Sequence, residues 1–361
     1  NFLQSLAHLS PEVLAETFKA QSEVISVLSE LGVIILLFEI GLESELDELI
    51  KYGVQAAVVA VVGVAVPFAL GTIGLMTIFH VAAIPAIFAG AALTATSIGI
   101  TAKVLSEIGQ LSSKEGQIII GAAVLDDVLG IIVLAVVASL VKTGEVQVTN
   151  ILYLTISAAA FLVGVIILGR LLNPYFVSLV KSLKTRGPLL ISALIVTFIL
   201  SYIAAAIQLE AILGAFAAGL VLGENELRRE LEKQVVPIAD MFVPVFFVVV
   251  GARTDISVLN PFDPANREGL IIASFLIVVA IIGKVATGLT VYQSGLNRLA
   301  VGVGMIPRGE VGLVFAGVGA ASGVLSESLD AAIIVMVIVT TFIAPPWLRS
   351  VMSKPEATAI E

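Results

Sequence analysis

The sequence contains no cysteine, which excludes disulfides, thiolate metal sites and thiol redox chemistry. It holds only two histidines, His8 and His80. They fall near the ends of apolar runs in different regions, too few for a histidine-based metal centre. No GxxxxGK[ST] stretch occurs, so P-loop nucleotide hydrolysis is excluded. The glycine-rich "GVGAASG" at 317–323 misses the dinucleotide-binding spacing and reads as helix packing. Charge is scarce too: 13% of residues are Asp, Glu, Lys or Arg, whereas 58% are hydrophobic. A chain of 361 residues with that balance and a mean hydropathy of +1.10 is not a soluble domain. It reads as an all-α polytopic membrane protein. The net charge of −9 resides mostly in loops such as "ESELDELIKYG" and "GENELRRELEKQ", which read as solvated faces. The opening "NFLQSLAHLSPEVLAETF" shows neither Met nor a signal-peptide pattern, which suggests a processed or truncated N-terminus.

A span needs about 20 apolar residues, and the sequence divides into about eleven. Their boundaries are near 22–42, 54–78, 82–105, 116–141, 150–180, 188–207, 209–223, 234–251, 269–292, 296–322 and 328–350. Numbered in this way, one side carries twelve Lys and Arg residues, including Lys51, Lys103, Arg228, Arg298, Arg349 and Lys354. The other carries four: Lys19, Lys142, Arg253 and Arg267. The positive-inside rule then places the first side, with the C-terminus, in the cytoplasm.

Two spans contain stretches hostile to a continuous helix. The third holds "GAALTATSIGIT", rich in Thr, Ser and Gly; the tenth holds "GVGMIPRGEVG", with Pro307 and several glycines. Interrupted spans at corresponding positions mark a transporter site, because broken helices aim backbone dipoles at the membrane midplane. The third and tenth spans cross in opposite directions, so spans 2–4 and 9–11 read as inverted-topology repeats.

The stretch "GAAVLDDVLGIIVLAVVASL" (121–140) places Asp126 and Asp127 inside an apolar run. An ionised Asp at a bilayer centre costs about 2.5–3.5 kcal/mol on insertion scales. Lys284, in "LIVVAIIGKVATGL", lies about seven residues from its cytoplasmic end, and Asp126 about nine from its own. At 1.5 Å per residue those depths are roughly 10 and 14 Å, so the two can meet. A buried Lys needs an anion and a buried Asp pair needs a cation. Adjacent helical residues point about 100° apart, so the two carboxylates cannot share one partner equally. One holds Lys284, while the other is left to face a cavity and bind an exchangeable cation. Hydroxyls and carbonyls around Thr96 and Ser97 complete an oxygen shell suited to Na⁺, K⁺ or Li⁺. A carboxylate also accepts a proton, and competition between the two ions for one site is the minimal chemistry of an antiporter. No resident cofactor is implied, only transported cations and protons. A purely structural ion pair would explain one Asp and Lys284 but leave the second Asp without a reason. Arg308 and Glu310 in "PRGEVG" read as neutralising each other or the ends of the broken span. Glu39 lies near a span end, and Asp240 is either a cavity ligand or a helix cap.

The motifs resemble the cation:proton antiporter-2 family, bacterial Na⁺/H⁺ antiporters of the NapA type and their cyanobacterial members, with looser similarity to the Kef potassium efflux systems. The matching stretches are "LGVIILLFEIGLES", "TATSIGITAKVLSE", "AAVLDDVLGIIVLA", "LEAILGAFAAGLVLG", "FVPVFFVVVGARTD", the "GK" at 283–284 and "GMIPRGEVGLVFA". They run in family order over nearly the whole chain. The resemblance implies an antiporter fold with two crossed broken helices, an elevator-type mechanism and a homodimer in the lipid bilayer. It implies a core at about 54–142 and 269–350, a dimerisation part at about 22–45 and 188–251, and a linker helix at about 150–182. The resemblance also implies that the spans here match the family's later helices, with its first two missing from this chain. Carried over by motif, Asp127 is the ion and proton carrier, Asp126 the partner of Lys284, and Thr96 and Ser97 the unwound stretch beside them. Members with both Asp and the Lys are electrogenic, which implies electrogenic exchange here. The implied location is a bacterial inner membrane, or a thylakoid membrane for a cyanobacterial member, with no nucleic-acid partner and no enzymatic role. A sodium-coupled symporter of an organic anion and a cation channel stay open as rivals, with a membrane enzyme behind them.

Overall fold

The computed structural model describes residues 11–143, 147–252, 260, 266–293 and 295–352. His8, Arg253 and Lys354 lie outside them. Within the described residues all regular structure is helical, as the lipid environment demands: with no water to bond the backbone, a spanning segment must satisfy its own N–H and C=O groups. The order is α1 (Pro11–Glu43), α2 (Leu46–Lys51), α3 (Gly53–Ile78), α4 (Ala83–Ala92), α5 (Ile98–Glu107), α6 (Lys114–Thr143) and α7 (Val148–Ser182). There follow α8 (Pro188–Ala206), α9 (Ala211–Gly223), α10 (Arg228–Ala252) and α11 (Asn266–Val285), the last running into a 3₁₀ turn at Ala286–Thr290. The chain closes with α12 (Arg298–Gly304), α13 (Glu310–Ala321) and α14 (Glu327–Met352).

Eight helices among the described residues are long and apolar enough to cross a membrane, not the eleven read from the sequence. The third predicted span is two ten-residue half-helices, α4 and α5, and the tenth is the short pair α12 and α13. The seventh is the 13-residue α9. The physical reason is the same in the two broken cases: hydropathy averages over a break that local chemistry imposes. The architecture is the inverted repeat the interrupted stretches pointed to, with α3, the α4–α5 pair and α6 matched by α11, the α12–α13 pair and α14.

The helices pack in two sets. One consists of α3 to α6 with α11 to α14; the other consists of α1, α8, α9 and α10, with α7 touching α6 on one side and α8 and α9 on the other. Helix α1 also touches α5. In the second set, α1 and α9 cross backbone to backbone. A Cβ on Gly41 would stand 2.3 Å from the Phe216 carbonyl oxygen, and one on Gly219 2.3 Å from that of Phe38. Small residues at such crossings let membrane helices associate where no hydrophobic force between them exists. Outward faces are apolar: Val61 and Ile73 on α3, Ile156 and Ile167 on α7 and Phe342 on α14 are all exposed. Arg170, inside α7, bridges Asp47 (2.6 Å) and Glu224 (2.8 Å) at the ends of neighbouring helices, and Arg349 pairs with Glu107. The carboxylates in those pairs belong to segments that the span count put on one side of the membrane.

Candidate ion-binding site

The two breaks cross at the centre of the first set. Helix α4 stops at Ala92 and α5 starts at Ile98; α12 stops at Gly304 and α13 starts at Glu310. Pro307 lacks an N–H and biases Ile306 away from helix, which enforces the second break. The first has no proline. Its freed backbone is held by the facing segment: the Ser97 N–H donates to the Pro307 carbonyl (2.8 Å), and the Thr96 hydroxyl to that of Met305 (3.2 Å). Thr101, one turn into α5, donates to the Gly304 carbonyl at 2.8 Å. The Arg308 guanidinium donates to the Ala95 carbonyl, and the Thr341 hydroxyl on α14 donates to the Arg308 carbonyl. Irregular backbone at membrane depth survives only when its polar groups are satisfied in this way. Gly309 makes the close approach possible, since a Cβ there would stand 2.5 Å from Ser97 Oγ.

Beside this crossing α6 presents Asp126 and Asp127. Lys284 Nζ, from the last turn of α11, donates to both Asp126 oxygens, at 3.2 and 3.3 Å, and both side chains are fully buried. Asp127 is 5% exposed and feels the Lys284 charge. The two carboxylates are thus unequal, with Lys284 bonded to Asp126. Gly63 on α3 leaves room for the ammonium, because a Cβ there would lie 3.2 Å from Nζ. Arg308, also fully buried, lies within electrostatic reach of both Asp126 and Lys284. The interior therefore gathers two carboxylates and two fixed cations in a region with few other charges.

Three polar atoms of the crossing, Ser97 Oγ and Arg308 Nε and Nη2, are buried with no hydrogen-bond partner among the described residues. An orphaned hydroxyl in a crossing whose backbone groups bond across the gap is a free acceptor for a hard cation. Thr96 is placed differently, its hydroxyl already donating across the breaks. Arg308 reaches the Ala95 carbonyl beyond the C-terminal end of α4; the Glu310 side chain lies outside the described residues. Asp240 is exposed in the middle of α10, so it caps nothing. One carboxylate oxygen of Glu39 is buried without a hydrogen-bond partner among the described residues. Sequence reasoning passed over Gly63 and Thr341. A glycine and a threonine inside apolar runs carry no sequence signal of what they face, whereas Thr101 closes the "TATSIGIT" stretch that was singled out.

Crossed broken helices, flanked by long helices in inverted order and enclosing buried carboxylates, define a membrane-embedded secondary-transporter class. The chain belongs to the transmembrane sodium/hydrogen exchanger family, which matches residues 6–354, and is an integral multi-pass membrane protein. It is 74% identical over 350 residues to the high-affinity Na⁺/H⁺ antiporter NhaS3 of Synechocystis, covering 97% of this chain and 76% of that protein. It is 32% identical over 332 residues to the Na⁺/H⁺-K⁺ antiporter GerN of Bacillus cereus, covering 91% and 83%. Among solved structures, the sodium proton antiporter MjNhaP1 of Methanocaldococcus jannaschii shares the fold, with a TM-score of 0.60 at 17% identity, covering 91% of this chain and 84% of that one. The motif resemblance to Na⁺/H⁺ antiporters, cyanobacterial members among them, is borne out.

Proposed function

We propose that this protein is a secondary active Na⁺/H⁺ antiporter in which Asp127 alternately carries a cation and a proton. The observation that carries the reading is the inequality of the two carboxylates: Lys284 bonds Asp126, and Asp127 lies one residue on, buried beside the same crossing. Identity of 74% to an Na⁺/H⁺ antiporter supports sodium as the cation. Ser97 Oγ, orphaned in the break, supplies an oxygen ligand, and backbone carbonyls of the breaks supply others. Sodium and a proton compete for one carboxylate, so neither crosses unless the other has left.

Alternating access follows an elevator path in this reading. The set α3–α6 with α11–α14, which holds the site, slides against the set α1 and α8–α10, and α7 links them. The protein works as a homodimer built on the second set. Electrogenic exchange, which the resemblance implies, requires a second proton to move with the one on Asp127 for each Na⁺, and the buried Asp126–Lys284 pair beside it takes that proton up. The end of the bundle bearing the C-terminus is cytoplasmic, as the twelve-to-four bias of basic residues supports. The protein resides in the inner or thylakoid membrane of a cyanobacterial cell, a source that the Synechocystis relative supports. It transports ions rather than catalysing a reaction.

The test uses proteoliposomes with an acidic interior and a pH-sensitive dye. External Na⁺ is expected to alkalinise the interior, Li⁺ and K⁺ to do so less, and Asp127→Asn to abolish the response while folding normally. Cation flux that moves no protons points to a channel, and undiminished exchange in Asp127→Asn removes that carboxylate from the mechanism.

A further inference from the structure

A groove of 540 Å³ opens where the end of α11, the 3₁₀ turn, the start of α12 and the end of α14 meet. Its walls are aliphatic and aromatic, with Val285, Leu289, Leu299 and Trp347 among them. Leu289 is 76% exposed, so the groove faces outward from the helix bundle. Water has no polar partners in such a cleft, whereas the surrounding bilayer supplies hydrocarbon chains that fill it. At its rim stands Arg298, the first residue of α12, exposed to the surroundings. Lys51, Arg170, Lys181, Arg228 and Arg349 each pair with a carboxylate. Arg298 has none within ion-pair distance among the described residues, as is also true of Lys103, Arg186, Arg229 and Lys233, but of these only Arg298 lines the groove.

The rim is built, not loose. Asn297 receives a hydrogen bond on its side chain from the Ala300 N–H (3.0 Å) and donates from its own N–H to Glu115 and from its amide to the Val351 carbonyl, both at 2.8 Å. Gly288 packs so tightly on the Arg298 carbonyl that a Cβ there would overlap it. The backbone that carries Arg298 is therefore held in place beside the groove. Trp347, the only tryptophan of the chain, has the amphipathic ring that settles at headgroup level.

We propose that this groove binds one anionic phospholipid, with an acyl chain along Val285, Leu289 and Trp347 and its phosphate against Arg298. An unpaired arginine complements a headgroup of net negative charge, and the apolar walls complement the tail. The last turn of α11, whose Val285 lines the groove, also carries Lys284, fully buried. A seated lipid thus braces the segment that holds the buried ammonium.

The test takes the purified full chain, stripped of lipid in detergent, and adds dioleoylphosphatidylglycerol, dioleoylphosphatidylcholine or tail-free glycerol phosphate. Bound copies are counted by native mass spectrometry. Arg298→Ala is expected to weaken the tightest phosphatidylglycerol site about fivefold, the effect of one basic residue near a membrane surface. Arg298→Lys is expected to keep most of the affinity, and phosphatidylcholine retention to be indifferent to either change. Ala286→Phe, which fills the groove wall, is expected to lose the site with Arg298 in place. Equal phosphatidylglycerol retention by wild type and Arg298→Ala overturns the proposal. Tight binding of glycerol phosphate alone overturns it as well, because the rim would then hold free phosphate. Arg298 is exposed, so its two variants fold and decide the matter even if Ala286→Phe does not.

Discussion

Where α1 crosses α9, Gly41 and Gly219 press backbone on backbone, and the nearest atoms are the carbonyls of Phe38 and Phe216. Where the segments 93–97 and 305–309 cross, the contacts are hydroxyls, a proline carbonyl and a guanidinium, with Gly309 against Ser97. Both are glycine-dependent close approaches at membrane depth, yet they are made of opposite materials. Among the described residues the first makes no hydrogen bond across the crossing, so it offers no polar group to an ion. The second has broken its helices and bonds across the gap, which leaves polar groups able to meet a cation. Transport chemistry belongs at the second crossing, and a rigid scaffold at the first.

Substitutions at the two crossings should separate these roles. Lys284→Met strips Asp126 of its buried partner. Breaking such a pair costs about 3–5 kcal/mol, read as lost stability to unfolding in micelles. Adding Asp126→Asn should restore much of it without restoring exchange. Gly219→Leu should cost about 1–3 kcal/mol by overpacking the α1–α9 crossing. Protein that folds should still bind Na⁺ with wild-type affinity in a calorimetric titration. Ser97→Ala should behave in the opposite way: the hydroxyl has no partner among the described residues, so its loss leaves stability almost unchanged while raising the KM for Na⁺. Arg170→Ala, at an exposed pair, should leave the unfolding midpoint where it was, since exposed ion pairs contribute little.

The contrast also explains what the sequence made legible. Asp126, Asp127 and Lys284 stand out because charges inside apolar runs are rare and need partners. The break at Pro307 stands out because proline cannot continue a helix; the one at 93–97 stands out only through its hydroxyls. The number of continuous spans did not come through, since hydropathy runs smoothly across both breaks and the short α9 is as apolar as any true span. Arg308 reads from the sequence as neutralising Glu310 or the ends of the broken span. The Glu310 side chain lies outside the described residues, and Arg308 donates to the Ala95 carbonyl, 213 positions distant. A backbone carbonyl leaves no mark in the identity of its residue. Gly41, Gly63 and Gly219 were equally silent, since nothing in an apolar stretch says which glycine faces another helix.

The central claim is that Na⁺ and a proton compete for Asp127. The most direct measurement is Na⁺ binding to the purified protein by calorimetry across a pH series, with Asp127→Asn in parallel. The account predicts saturable binding to wild type that releases protons and weakens as the pH is lowered, and no binding to the variant. Binding of Na⁺ to Asp127→Asn with wild-type affinity, or binding to wild type that ignores pH, would contradict it.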